Sequence, residues 1–178
     1  MFKGKKIILR EYRKDDVEKL WGIMNEEEFK KNAASRIPYP FTFNDIEEDF
    51  NKISGYKEAY DFAIESIDEG KYIGECGIKS VDWKNRRTEI YIFLSESYTG
   101  KGYGTDAVML VLNFIFNEMN LNKVKLTVFS FNKRAVKCYE KCGFKVEGTL
   151  RSELFKAGKY HDLILMGILR EEYNESCI

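Results

Sequence analysis

Histidine is almost missing: His161 is the only one in 178 residues. Metal sites and catalytic triads that need two imidazoles are thereby excluded. Proline is as scarce, with Pro38 and Pro40 alone, which removes collagen-like and proline-rich classes. No apolar run approaches the ~20 residues of a membrane span, and Ile7 to Leu9 is too short for a signal peptide. An excess of either charge is also lacking. Lys plus Arg and Asp plus Glu both count 29, a net charge of zero, so bulk charge gives no reason to expect nucleic acid. The four cysteines, Cys76, Cys138, Cys142 and Cys177, contain no C-x-x-C pair. They read as free thiols of a reducing cytoplasm, and the sequon Asn174-Glu175-Ser176 reads as accidental.

What is present is a chain 44% hydrophobic and 33% charged, long enough to bury roughly 70% of its unfolded surface in one core. A single domain over 1–178 is expected. Lys6 to Tyr12 reads as a strand, and Asp15 or Asp16 as the cap of a helix to about Asn25. Ile37-Pro38-Tyr39-Pro40-Phe41 is a rigid loop, and Asn44 to Ile53 a short helix. Tyr60 to Ile67 and Lys71 to Val81 are strands around the turn Asp68-Glu69-Gly70, and Glu89 to Leu94 is a third. Thr105 to Met119 carries Val108, Val111, Leu112, Ile115 and Met119 on one helical face. Lys123 to Phe129 alternates as a strand with Val124, Leu126 and Val128 on one side. Arg134 to Lys141 is a helix ended by Gly143. Phe144 to Leu154 and Tyr160 to Leu169 close the chain as strands. This order predicts an α/β (α+β) sheet with helices on its faces.

Two constellations carry chemistry. Thr99-Gly100-Lys101-Gly102-Tyr103-Gly104-Thr105 follows a strand and opens a helix. Its glycines let backbone amides turn toward an anion, and the helix terminus adds positive potential, so phosphate is the expected guest. The spacing is neither Walker A nor a dinucleotide fingerprint, and alone it could be a helix-start turn. One strand and one helix later comes Asn132-x-x-Ala135-x-x-x-Tyr139-x-x-x-Gly143-Phe144. A helical tyrosine taken by itself is more often core filler than catalyst.

Together the two segments resemble the GNAT superfamily of N-acetyltransferases. Its pyrophosphate loop Q/R-x-x-G-x-G/A is matched at Thr99, Gly102 and Gly104, with Thr99 departing from the usual Gln or Arg. Its N-x-x-A-x-x-L-Y-x-x-x-G-F signature is matched at Asn132, Ala135, Tyr139, Gly143 and Phe144, with Cys138 in place of Leu. Glu147-Gly148-Thr149-Leu150-Arg151, Gly158, Asp162 and Ile37 to Thr42 look like the RimJ/RimL-type branch and its polyamine-acetylating relatives. The resemblance spans essentially the whole chain. It implies a mixed, mostly antiparallel sheet of about seven strands with a splayed parallel pair, Glu89–Leu94 and Lys123–Phe129. It implies an acetyl-CoA site as well: pantetheine on the backbone near Phe93 and Leu94, pyrophosphate on the amides of Gly100, Lys101, Gly102, Tyr103, Gly104 and Thr105, and Asn132 beside them. No metal is implied.

The activity implied is acetyl transfer to a primary amine, which attacks only when neutral. Glu89 is the candidate base, with Tyr91 and Phe93 on its strand face; an ion pair near Arg86 and Arg87 is the alternative. Tyr139, protonated at neutral pH, is the candidate acid for the departing thiolate. Cys138 and Cys142 share a helix face, but no histidine partners them, so direct transfer in a ternary complex is preferred to an acetyl-cysteine. His161 reads as structural or surface rather than catalytic. The clusters Glu26-Glu27-Glu28 and Glu47-Glu48-Asp49 could attract a polyamine or a protein N-terminus, or be solvated helix faces. Tyr39, Phe41 and Phe43 could instead line an apolar or sugar pocket. A different acyl donor, a non-catalytic CoA-binding module and a homodimer all stay open; neither nucleic acid nor membrane is an expected partner.

Overall fold

The structure, a computed structural model, describes residues 1–53 and 60–173; Cys177 and the sequon at Asn174 lie outside the described residues. The chain runs β1 (Phe2–Lys3), β2 (Ile7–Arg10), α1 (Asp16–Asn25), α2 (Glu27–Asn32), α3 (Phe43–Ile53), β3 (Tyr60–Ser66), β4 (Tyr72–Asp82), β5 (Arg87–Leu94), α4 (Tyr103–Asn113), β6 (Lys123–Phe129), α5 (Lys133–Lys141), β7 (Lys145–Lys156) and β8 (Lys159–Leu169). The strands form one sheet in the order β1-β2-β3-β4-β5-β6-β8-β7. Among the described residues there are eight strands where about seven were expected, because the two-residue β1, too short to show a pattern, pairs with β2.

The strand alternation sorts the core onto two faces. Cys76, Ile78, Ile90, Val124, Leu126 and Val128 meet α4 and α5 in the larger cluster. Ala63 and Tyr72 meet Val17, Leu20 and Ile23 of α1 and Ile46 of α3 in the smaller one. Helices therefore cover both faces, as two layers of apolar side chains require. The expected helix to Met119 is α-helical only to Asn113 and continues as one wider π-helical turn over Phe114–Glu118. There Phe114 packs on Phe2 and Phe62.

Neither Asp15 nor Asp16 caps α1 in the expected way: Asp15 makes no capping hydrogen bond. Asp16 is buried and accepts from Arg10 Nη1 at 2.7 Å, Arg10 Nη2 at 2.9 Å and the Arg13 amide at 2.8 Å. Burial alone would raise its pKa, but the Arg10 guanidinium and the Arg13 amide outweigh burial and hold it below the ordinary aspartate value. The pair fixes the exit of β2 into α1, which aims Tyr12 across the sheet.

One junction departs from the antiparallel ladder. β5 and β6 run parallel, and they pair only at Arg87–Lys123, Thr88–Val124 and Glu89–Lys125. Beyond that rung β5 stays on β4 as far as Leu94, while β6 stays on β8 as far as Phe129. Strands held by different neighbours diverge, which opens a wedge through the sheet at Ile90–Leu94.

Candidate active site

The wedge is the floor of a cleft of about 300 Å³, within the range of small-ligand pockets. Ile92, Phe93 and Leu94 line it in succession. Neighbouring strand residues point to opposite faces, so the cleft reaches both sides of the sheet. Thr99, Gly100, Gly102, Gly104 and Thr105 form one end, and Asn132, Ala135, Cys138 and Tyr139 the wall opposite β5.

The loop end is built for an anion. Gly102, at φ 91°, occupies the N-cap of α4 and provides no side-chain cap. The first amides of the helix, at Tyr103, Gly104 and Thr105, precede the first intrahelical bond, from the Asp106 amide to the Gly102 carbonyl at 3.1 Å. Such orphan donors, at the positive end of the helix dipole, suit a phosphate. A Cβ at Gly104 would stand 3.7 Å from both Cys138 Sγ and Leu94 Cδ1, so it would narrow the cleft without clashing.

Most of the expected residues come together here; three do not. Lys101 gives its carbonyl to Lys6 Nζ at 2.8 Å. Tyr103 is buried in the core against Tyr98, with Lys6 Nζ over its ring. Neither residue is among those that line the cleft, and main-chain amide is what they can offer an anion. Glu89 lies on the last parallel rung, outside the cleft lining, with Lys79 Nζ 3.5 Å from its carboxylate. Its ion pair is thus with Lys79, across the strand, rather than with Arg86 or Arg87. Asn132 caps α5 by accepting from the Ala135 amide at 3.1 Å.

Tyr139 is buried in the cleft wall, edge-on to Phe144. Burial, then the neighbouring Cys138 and Cys142 thiols, push its pKa above the ordinary tyrosine value, so its hydroxyl keeps its proton at neutral pH. Cys138, hydrogen-bonded to Cys142 and 3.4 Å from Thr105 Oγ1, has its thiol pKa lowered by those contacts. His161 meets the Phe131 ring edge-on.

Sequence reasoning missed the α2 lining and the basic face of α5. Glu28, Phe29, Asn32 and Ala33 roof the cleft; Glu28 pairs with Arg134, and Asn132 Nδ2 reaches the Asn32 carbonyl at 3.4 Å. Arg134, Lys137 and Lys141 also line it, at spacings of three and four that put three cations on one helix face. That spacing was a readable signal for a polyanionic ligand. The acid run splits by partner: Glu26 accepts from Ser95 Oγ and the Glu96 amide, so with Glu28 it ties α2 down rather than facing solvent. Tyr39 is exposed, whereas Phe41 and Phe43 pack on Phe29 and Trp21.

A sheet split at one parallel pair, with an amide-lined glycine loop at one end and a protonated tyrosine in the wall, defines a protein that can hold a phosphorylated ligand beside a proton donor. Residues 6–145 match the acetyltransferase (GNAT) domain family. The chain is 31% identical to the SPbeta prophage-derived N-acetyltransferase YokL of Bacillus subtilis, over 96% of this chain and 93% of that one. It is 33% identical to spermidine N(1)-acetyltransferase of Escherichia coli K12, over 80% and 78%. Its fold superposes with TM-score 0.84 on Vibrio cholerae spermidine N-acetyltransferase, solved with CoA and spermine, at 29% identity over 94% of this chain and 97% of that one. The chain belongs to the GNAT family of acetyltransferases, and acetyl-CoA fits its cleft as co-substrate.

Proposed function

We propose that this enzyme transfers the acetyl group of acetyl-CoA directly to a small primary amine, with a polyamine as the acceptor class. The observation that carries it is the three-rung β5–β6 junction, which frees the backbone of Ile92 to Leu94 beside both the glycine loop and Tyr139. That edge can pair with an amide-bearing arm, while the orphan amides of α4 and the cations Arg134, Lys137 and Lys141 bind phosphate. Tyr139 is protonated where negative charge would gather on sulfur, which suits it to act as general acid. Likeness to the spermidine N-acetyltransferases supports the polyamine acceptor. The free thiols of Cys76, Cys138 and Cys142 suit a reducing cytoplasm.

The test is release of free CoA thiol from acetyl-CoA with spermidine, spermine, simple monoamines and peptides bearing free N-termini. Turnover is expected first with the polyamines. Intersecting double-reciprocal lines are expected from a ternary complex. The position of Cys138 in the cleft wall makes the alternative concrete: parallel lines with an acetyl group trapped on Cys138 would replace direct transfer by a covalent route. No turnover with any amine, in protein that binds CoA, would leave a CoA-binding module.

A further inference from the structure

On the α1–α3 face of the sheet, directly behind the cleft, lies a buried polar network that the acetyl-transfer machinery above does not use. β3, β4 and β5 place two rows of residues there. In one row Asp61, Gly77 and Tyr91 stand opposite each other, and in the next Ala63, Glu75 and Phe93. Gly77 is the opening that makes the first row possible. A Cβ there would come within 2.2 Å of Asp61 Oδ1 and 2.4 Å of the Tyr91 ring, so Tyr91 lies across β4 and donates to Asp61 at 2.8 Å. In the second row Glu75, 8% exposed, accepts from Tyr12 Oη at 2.7 Å.

A buried carboxylate is costly unless it is paired or can shed its charge. No cation faces Glu75 among the described residues. Its titratable neighbours are Tyr12 beyond β2, Asp61 on β3, Tyr91 on β5, and Tyr72 and Cys76 on its own strand. Tyr72 adds an independent sign of an absent guest. It is 4% exposed, its hydroxyl finds no hydrogen-bond partner among the described residues, and Glu75 is foremost among the charges acting on it, ahead of Asp16 and Arg10. A cationic group beside Glu75 would meet a carboxylate and an unfilled hydroxyl together.

The network adjoins the reacting end. Phe93 is the cross-strand neighbour of Glu75, and directly opposed side chains lie about 5 Å apart at Cβ on one face. Phe93 and the Phe29 ring packed on it at 4.8 Å both line the cleft. Glu75 is thus one side chain removed from the cleft, on the face opposite the helix α5 that carries Tyr139.

Resting on the proposed acetyl transfer, we propose that Glu75, rather than Glu89, takes the proton from the acceptor ammonium, directly or across one water, while Asp61 with Tyr91 holds a second cationic group of a polyamine. The ammonium N–H bond breaks and Glu75 becomes a neutral acid. The freed nitrogen bonds to the thioester carbonyl carbon, the carbon–sulfur bond breaks, and the sulfur takes the Tyr139 proton. The new amide nitrogen gives up its remaining excess proton through solvent to restore Tyr139. Glu75 then releases its own proton to water, the one proton the overall reaction yields. Desolvation lifts the Glu75 pKa to about 7, against the opposing Tyr12 hydrogen bond, which matches a base that must be ionised near neutrality and re-lose its proton each turnover.

The experiment is single-turnover acetyl transfer to spermidine between pH 5.5 and 9, with CoA titrated calorimetrically against each variant. The wild type should show an acid limb near pH 7. Glu75→Gln should lower the rate by roughly 10²- to 10⁴-fold and remove that limb, with CoA affinity retained. Tyr12→Phe deletes a hydrogen bond that favours the ionised acid, so its limb should move to higher pH. Wild-type rate and limb in a CoA-binding Glu75→Gln protein would overturn the proposal while leaving acetyl transfer intact. Loss of the limb in Glu89→Gln instead would do the same. Should Glu75→Gln fail to fold, an unmoved limb in Tyr12→Phe overturns it. A wild type inactive on every amine would defeat the parent function, and the role of Glu75 with it.

Discussion

At the scale of single residues, Glu75 should leave a mark on stability independent of catalysis. Its pKa is about 7 in the folded chain and near the ordinary glutamate value of ~4.3 when unfolded. Below the unfolded pKa both states are protonated and nothing is lost. As pH rises toward 7 the unfolded chain ionises and the folded one resists, so stability falls with rising pH. Replacing the acid by Gln removes that linkage. Glu75→Gln should come close to the wild type near pH 4 and exceed it by about 3 kcal/mol at pH 8, measured by urea unfolding at the two pH values. Equal stability at pH 8 would mean that burial does not raise the Glu75 pKa. Tyr139 predicts the complementary case. Tyr139→Phe keeps the ring in the core, so stability and CoA affinity should hold, while the single-turnover rate falls roughly 10²- to 10⁴-fold. A wild-type rate would reduce Tyr139 to packing. Both acid and base candidates were open to inspection in the sequence, but unequally. Tyr139 sits in a spaced motif whose ends, Asn132 and Gly143, are marked by helix-boundary chemistry. Glu75 sits in a strand among glycines, and only the cross-strand pairing with Phe93 and the arrival of Tyr12 from a distant segment give it meaning.

Among the elements, the start of α4 serves two tasks. Its amides at Tyr103 to Thr105 face the cleft end, and one turn on, Asp106 turns the other way to accept from the amides of Lys5, Lys6 and Ile7 at 3.2, 2.7 and 3.1 Å. Gly4 lies so close that a Cβ there would be 2.5 Å from Asp106 Oδ2. The carboxylate thereby anchors the edge pair β1–β2 to the helix that carries the glycine loop, and its charge suits the helix N-terminus. Asp106→Ala should cost about 2 kcal/mol, with faster hydrogen exchange at Lys5 to Ile7; Asp106→Asn, which keeps an acceptor, should cost less. Unchanged exchange in the alanine variant would show that the strand pairing alone holds the edge. Elements with a period to display were legible: β6 from Val124, Leu126 and Val128, α4 from its apolar face, β4 and β8 from length. Those without one were not. α2 is six residues with Phe29 alone buried, and its position over the cleft depends on Glu26, Glu28 and Asn32 finding partners across the molecule. Asp16 looked like a cap by position; its burial against Arg10 is a tertiary fact that outweighs the local capping preference.

In the whole molecule, β1 to β5 and β6 to β8 are two ladders joined within the sheet by three rungs, with α4 and α5 bridging them on one face. A ligand in the wedge touches both ladders, so its binding free energy becomes cohesion between them. At a free ligand concentration of 100 Kd that amounts to about 2.7 kcal/mol. For a chain of this size each kcal/mol is worth roughly 2–4 °C, so CoA should raise the Tm by roughly 5–10 °C. The gain should be local in origin. Hydrogen exchange should slow on binding at Ile92 to Leu94, where the β5 edge faces the wedge, and at Gly100 to Thr105, where the helix amides lack partners. Gly104→Val provides the control: its Cβ has room beside Cys138 and Leu94, so the ligand-free Tm should stay close to wild type, but the added methyls narrow the cleft and the CoA-induced rise should shrink. A full rise in Gly104→Val, or protection confined to the distal hairpin β7–β8, would place the ligand outside the wedge and remove the split sheet from cofactor binding.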